Sequence, residues 1–144
     1  MPECKISDEI IEFAVEKDYR SLAFVQFPKD KIITLAVINN GFALQFVPED
    51  KKTDIIIGLA VQDNGHALRY VPEDKMTNEI IKFAIKNDSY VLLYVPKNKL
   101  TDEIIKFAVE TDGRALEYIP DDRKTEEIIK IAVQQNELAL EFVP

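Results

Sequence analysis

Residues able to do chemistry are few in this chain and badly spaced for it. The 144 residues hold one histidine, His66, and one cysteine, Cys4. A Cys–His nucleophile pair would have to meet by chance, and no zinc-ligand spacing exists. His66 follows Gly65 in a position that Phe42, Tyr90, Arg114 and Leu138 fill elsewhere, a tolerance expected at a rim and not in a catalytic site. Aspartate and glutamate total 26, enough for two carboxylates to meet and share acid–base work. They recur, however, at equivalent places such as Asp8, Asp54, Asp102 and Glu126, where capping a helix already accounts for them. The four glycines are dispersed and form no phosphate-cradling loop. Asn87-Asp88-Ser89 matches the N-glycosylation acceptor pattern, a chance match in a chain that shows no export signal. The expectation is a protein with no catalysis, no metal and no cofactor.

Two ladders of side chains suit binding better. Phe46, Tyr70, Tyr94, Tyr118 and Phe142 recur at one position. Such rings can stack as core, one per unit. Three are tyrosines, though, and a buried hydroxyl needs a partner, so their polar ends can instead line a groove for a peptide. Beside them, Gln45, Arg69, Leu93, Glu117 and Glu141 vary freely in character, as a surface that encodes a partner does. Gln45, Arg69, Tyr70, Leu93, Tyr94, Glu117 and Tyr118 are therefore the expected contact residues, with Phe42 adding apolar area. Lys82, Lys106 and Lys130 form the second ladder, read as a solvated face paired locally with residues such as Glu110.

Charge narrows the partner. The net charge is −8, and from Thr101 to Pro144 there are 5 Lys/Arg against 11 Asp/Glu, or −6, leaving −2 for the rest. Nucleic-acid binding starts from a basic footprint, so it is not expected, whereas a basic protein partner at the acidic C-terminal end is. No apolar stretch approaches the roughly 20 residues of a membrane span. One cysteine gives no internal disulfide framework. The expected location is the cytoplasm, or outside the cell by a route that needs no N-terminal signal.

The elements that position these ladders follow from a repeat. Pro48, Pro72, Pro96, Pro120 and Pro144 fall 24 residues apart, with Pro28 one shortened step earlier. A fixed period of this size marks an array in which each unit buries its apolar face by stacking on its neighbours. The repeats run roughly 5–28, 29–48, 49–72, 73–96, 97–120 and 121–144, one domain in all. In the clearest copy the polar residues Asp102, Glu103, Lys106 and Glu110 recur every three to four positions, a helical stripe. Ile104, Ile105, Phe107, Ala108 and Val109 fill the remainder, so this helix needs cover on two sides. Ser7, Thr53, Thr77, Thr101 and Thr125 stand as N-caps. Asn40-Gly41, Asn64-Gly65 and Asp112-Gly113 read as helix stops with the glycine left-handed, a turn that Ser89 and Glu137 would strain or close differently. The second segment, as in Ala115–Ile119, reads as about two helical turns because Ala115, Leu116 and Ile119 share a face. The fold class is thus an all-α solenoid of six helix-pair repeats. The alternative is a strand-plus-helix, leucine-rich-repeat-like α/β solenoid, since Asn-Gly also favours a hairpin.

The phrase Ala-Val-x-x-Asn-Gly-x-Ala-Leu-x-Tyr/Phe, present at Ala36–Phe46 and Ala60–Tyr70, resembles the repeat called domain of unknown function 4116. The likeness extends over the whole chain in six copies. It implies a helical array of a kind often found in proteins of amoeba-associated and other intracellular microbes. It brings no agreed activity and no catalytic residues.

Two irregularities mark the ends. Four residues are missing between Pro28 and Ala36, so the second long helix loses its Thr-Asp cap, and two extra residues lie between Val15 and Pro28. The last repeat keeps Ile129, Leu140 and Phe142 among other apolar residues, where a terminal repeat usually turns polar, so either this end self-associates or the chain is a piece of a longer array. The leading functional expectation is a scaffold or adaptor module for protein–protein interaction. The alternative is self-assembly, a homodimer or filament built through Ile129, Leu140 and Phe142.

Overall fold

The computed structural model describes residues 6–144; Cys4 lies outside them. Every regular element among the described residues is helical, which overturns the α/β alternative. Six ten-residue α-helices recur: α1 Asp8–Lys17, α2 Asp30–Asn39, α3 Asp54–Asp63, α4 Asn78–Asn87, α5 Asp102–Thr111 and α6 Glu126–Gln135. Each is followed by a six-residue 3₁₀-helix: Tyr19–Phe24, Gly41–Phe46, Gly65–Tyr70, Ser89–Tyr94, Gly113–Tyr118 and Glu137–Phe142. Single 3₁₀ turns Glu49–Lys51, Glu73–Lys75 and Asp121–Arg123 follow Pro48, Pro72 and Pro120 and lead into the next repeat.

The α-helices begin where the hydroxyls predict. Ser7, Thr53, Thr77, Thr101 and Thr125 accept from the amides of Ile10, Ile56, Ile80, Ile104 and Ile128, each satisfying one free donor of a first turn. In α2 the cap position is Lys29, with no side-chain hydrogen bond, but Asp30 remains in the first turn. The shortened step therefore removes the hydroxyl and the 3₁₀ turn, not the acidic residue.

The helix ends differ from the sequence expectation. No glycine among the described residues has positive φ. Asn40 is extended (φ −162°, ψ 122°) and serves two helices at once: its amide donates to the Ala36 carbonyl and its Oδ1 accepts from Phe42. Asp18, Asn64, Asp88, Asp112 and Asn136 do the same in their repeats. A local Asx acceptor thus starts a fresh helix without a left-handed residue. Ser89 consequently shows no strained turn; it is buried, with Oγ 3.0 Å from Asp112 Oδ2.

The chain divides into two compact units, one ending at Val71 and the other spanning Pro72–Pro144. In the first, α1, α2 and α3 pack side by side, and the 3₁₀-helices Tyr19–Phe24, Gly41–Phe46 and Gly65–Tyr70 form a second layer. Between the layers lie Val15, Leu22, Ile33, Val37, Leu44, Ile57, Val61 and Leu68, all essentially inaccessible. The second unit repeats the arrangement with α4, α5 and α6, burying Ile81, Ile85, Leu92, Ile105, Val109 and Leu116. Each large aliphatic side chain contributes about 1.5–3 kcal/mol by leaving water. Both faces of α5 are covered: Ile104, Ile105, Ala108 and Val109 are buried together.

A buried cation closes some repeats. Lys52 Nζ donates to the Tyr70 carbonyl at 2.9 Å and pairs with Glu49 at 2.6 Å. Lys124 does the same with the Phe142 carbonyl at 2.9 Å and Asp121 at 2.8 Å. Each lysine ties the entry of its repeat to the last carbonyl of its 3₁₀-helix. Met76 and Leu100 fill the equivalent buried position in the other two repeats.

Candidate functional site

A 3₁₀-helix has three residues per turn, so side chains at i and i+3 lie one above the other. In Gly113–Tyr118 this turns Gly113 and Leu116 inward and sets Arg114 and Glu117 on the exposed edge. The same spacing pairs Phe42 with Gln45, His66 with Arg69, Tyr90 with Leu93, and Leu138 with Glu141. The variable column expected to encode a partner is therefore half of a wider edge. Its other half is the position that His66 occupies, half-buried as a rim residue.

In the first unit, Phe42 meets Tyr70 edge to face, ring centroids 6.3 Å apart. The Arg69 guanidinium lies 5.4 Å from the Tyr70 ring centre, a cation–π contact. Gln45 is exposed, its amide donating to the Phe42 carbonyl at 3.0 Å. Tyr19 and Phe46 meet at 6.4 Å. Gln45 and Tyr70 thus meet at Phe42, and Arg69 joins them through Tyr70.

The second unit holds the denser cluster. Tyr90 is edge-on to Tyr94 at 6.0 Å and to Tyr118 at 5.4 Å, bridging two repeats. Leu93, 55% exposed, stands one turn from Tyr90 on the same edge. Glu117 is exposed beside Tyr118. Burial first, then the charge and hydrogen bond of Glu117, lift the Tyr118 phenol above its ordinary value, with Asp88 adding and Arg114 opposing. The ring ladder is therefore neither pure core nor open surface: Tyr70, Tyr94 and Tyr118 are half-buried, one side packed and one edge wet. Sequence reasoning missed Tyr90 as the hub, because its position holds five different residue types in five repeats.

The lysine ladder is solvated as expected but paired across repeats, which corrects the local pairing. Lys82 Nζ is 2.5 Å from Glu103 Oε1 and lies 5.3 Å from the Phe107 ring centre; its ammonium holds the Glu103 carboxyl below its usual value. Lys106 reaches Glu127 at 3.9 Å. Phe83, partly exposed, and Phe107 line a shallow groove of about 310 Å³ with Glu79, Lys82 and Lys86.

The residues expected to self-associate fall at the trailing edge of the last repeat. Leu140 is 62% exposed; Ile129 and Phe142 are half-buried. No group of three metal-ligating side chains converges among the described residues, and no described helix is long and apolar enough to cross a membrane.

Stacked helix pairs of this geometry define an all-α repeat solenoid. The chain belongs to the family described as Domain of unknown function (DUF4116), whose model matches residues 29–76, 56–100 and 101–144. No curated protein and no solved structure matches it.

Proposed function

We propose that this chain is a protein-interaction module, a scaffold or adaptor that holds a short segment of a partner along the exposed edge of its 3₁₀-helices and catalyses nothing itself. The observation that carries this reading is the Tyr90–Leu93–Tyr94–Tyr118 cluster. Its rings are held against one another by edge contacts, so they offer amphipathic area at little further cost in side-chain freedom. Leu93 supplies the exposed apolar centre and Glu117 the adjacent negative charge. The complementary segment carries an apolar anchor next to a lysine or arginine. A random peptide library panned against the full chain tests this, with Leu93→Glu as the comparison. Enrichment of apolar–basic peptides that the variant fails to hold supports the reading; equal retention by both proteins, or no enrichment, defeats it.

A second reading, self-association through the last repeat, is favoured by Leu140, which is largely exposed although its counterparts Leu44 and Leu116 are fully buried.

A further inference from the structure

We infer that the partner of the trailing edge is the leading edge of a second copy of this chain, joined head to tail in the register that joins repeats within each unit. The inference rests on the self-association reading and gives that end its complement.

Each edge carries side chains that are buried wherever another repeat of the same unit follows or precedes. Ile10 is 60% exposed, whereas its counterparts Ile32 and Ile104, which have a repeat before them, are 2% and 0% exposed. Leu140 is 62% exposed, whereas Leu44 and Leu116, which have a repeat after them, are fully buried. Around Ile10 a groove of about 780 Å³ opens between Ile6, Ile11, Phe24, Val25 and Phe27, with Phe24 and Phe27 almost wholly solvent-facing. Two unlike apolar faces, each the counterpart of one side of an internal junction, make a heterologous contact.

Charge fixes the register. At three of the four junctions within the units, the fifth residue of one α-helix pairs with the second residue of the next: Glu12 with Lys31 at 2.7 Å, Lys82 with Glu103 at 2.5 Å, Lys106 with Glu127 at 3.9 Å; at the fourth, the uncharged Thr34 and Ile55 stand in these places. The signs exchange between the first junction and the later two, yet each pair stays opposite. Lys130 holds the fifth position of α6 and is exposed; Glu9 holds the second position of α1 and is exposed. A head-to-tail junction brings this Lys130 onto Glu9 of the next copy, the same polarity as the two junctions of the second unit. Glu137 sits where Gly41 and Gly113 admit the next backbone most closely, but Tyr19 and Ser89 fill that position at internal junctions, so a side chain there is accommodated.

Sedimentation velocity of the full chain, from low to high micromolar, tests this with Ile10→Glu and Leu140→Glu. Both replaced side chains are mostly exposed in the single chain, so both variants should melt like the wild type at concentrations where it is monomeric. The wild type is expected to grow with concentration, and each variant alone to stay monomeric. An equimolar mixture of the two is expected to give one discrete dimer, since one variant keeps a working leading edge and the other a working trailing edge. Lys130→Glu should weaken association about two- to fivefold, the scale of an exposed ion pair, and adding Glu9→Lys in the same chain should restore it. A wild type that associates while the mixture stays monomeric, or an Ile10→Glu protein that still dimerises, overturns the head-to-tail junction and leaves self-association standing. A monomeric wild type overturns both. Failure of Glu9→Lys to restore association overturns the register.

Discussion

A Cβ on Gly41 would stand 2.2 Å from the carbonyl oxygen of Ala60. The backbone of one 3₁₀-helix thus lies directly against the last turn of the next α-helix, and Gly113 with Ala132 repeats the relationship at 2.2 Å. The amides at these positions are used as well: Gly41 donates to Asp63 Oδ2 at 2.7 Å and Gly113 to Gln135 Oε1 at 2.5 Å. Glycine is needed here for close approach between repeats and not for an unusual φ.

Gly41→Ala or Gly113→Ala should therefore cost about 1–3 kcal/mol, the range for overpacking a well-fitted contact. Gly58 is the control: nothing lies within 4 Å of where its Cβ would be, and it sits inside α3. Gly58→Ala should stabilise by about 0.4–1 kcal/mol through lower chain entropy in the unfolded state. Urea denaturation of the three variants checks this, and an unchanged Gly41→Ala midpoint contradicts the close approach.

Lys124→Met should leave the fold intact, with stability unchanged or raised, because Met76 and Leu100 already fill the equivalent buried position and a buried lysine whose carboxylate partner faces solvent gains little over a hydrophobe. Lys124→Ala should instead lose about 2–4 kcal/mol, since it empties the space its stem occupies. Thermal melts of the two variants side by side separate packing from charge.

The raised Tyr118 phenol carries a pH signature. As pH climbs past the ordinary phenol range, the unfolded chain releases this proton before the folded one does. The contribution to stability is therefore complete below that range and is lost as pH rises through the folded value. Among the five tyrosines, Tyr118→Phe should remove amplitude from the late, alkaline part of the absorbance titration. Loss from the early part contradicts the packing described.

Much of this architecture is legible in the sequence because the same rule is written six times. The Thr and Ser caps, the inward Ile-Ile pairs and the proline step each follow from local chemistry, and each stands where its residue type requires. Two features escape for physical reasons. Asn-Gly carries two meanings, a left-handed helix stop or an extended Asx acceptor that starts a new helix; Asp18, Asp88 and Asn136 adopt the extended form with no glycine after them, so the Asx side chain and not the glycine sets the turn. Lys52 reads as part of a polar turn, because a lysine in Glu-Asp-Lys-Lys gives no local sign that its stem is buried and its ammonium caps Tyr70. The candidate surface is legible in part: Leu93, Tyr94, Glu117 and Tyr118 do assemble, but the three-residue turn that joins them to Tyr90 is a property of the 3₁₀ backbone. A position holding Phe, His, Tyr, Arg and Leu in turn looks indifferent until its neighbours in space are known.

Comparing peptide affinity and melting temperature for the wild type and Leu93→Glu is the most direct test of a binding role for the 3₁₀ edge. Leu93 is largely exposed, so the melting temperature should stay within a degree or so of the wild type, as for most surface substitutions. Affinity for an apolar–basic peptide should fall by about tenfold or more, the loss expected when a central apolar anchor is replaced by charge. Undiminished affinity in a normally folded Leu93→Glu protein contradicts the account and moves the binding surface off this edge.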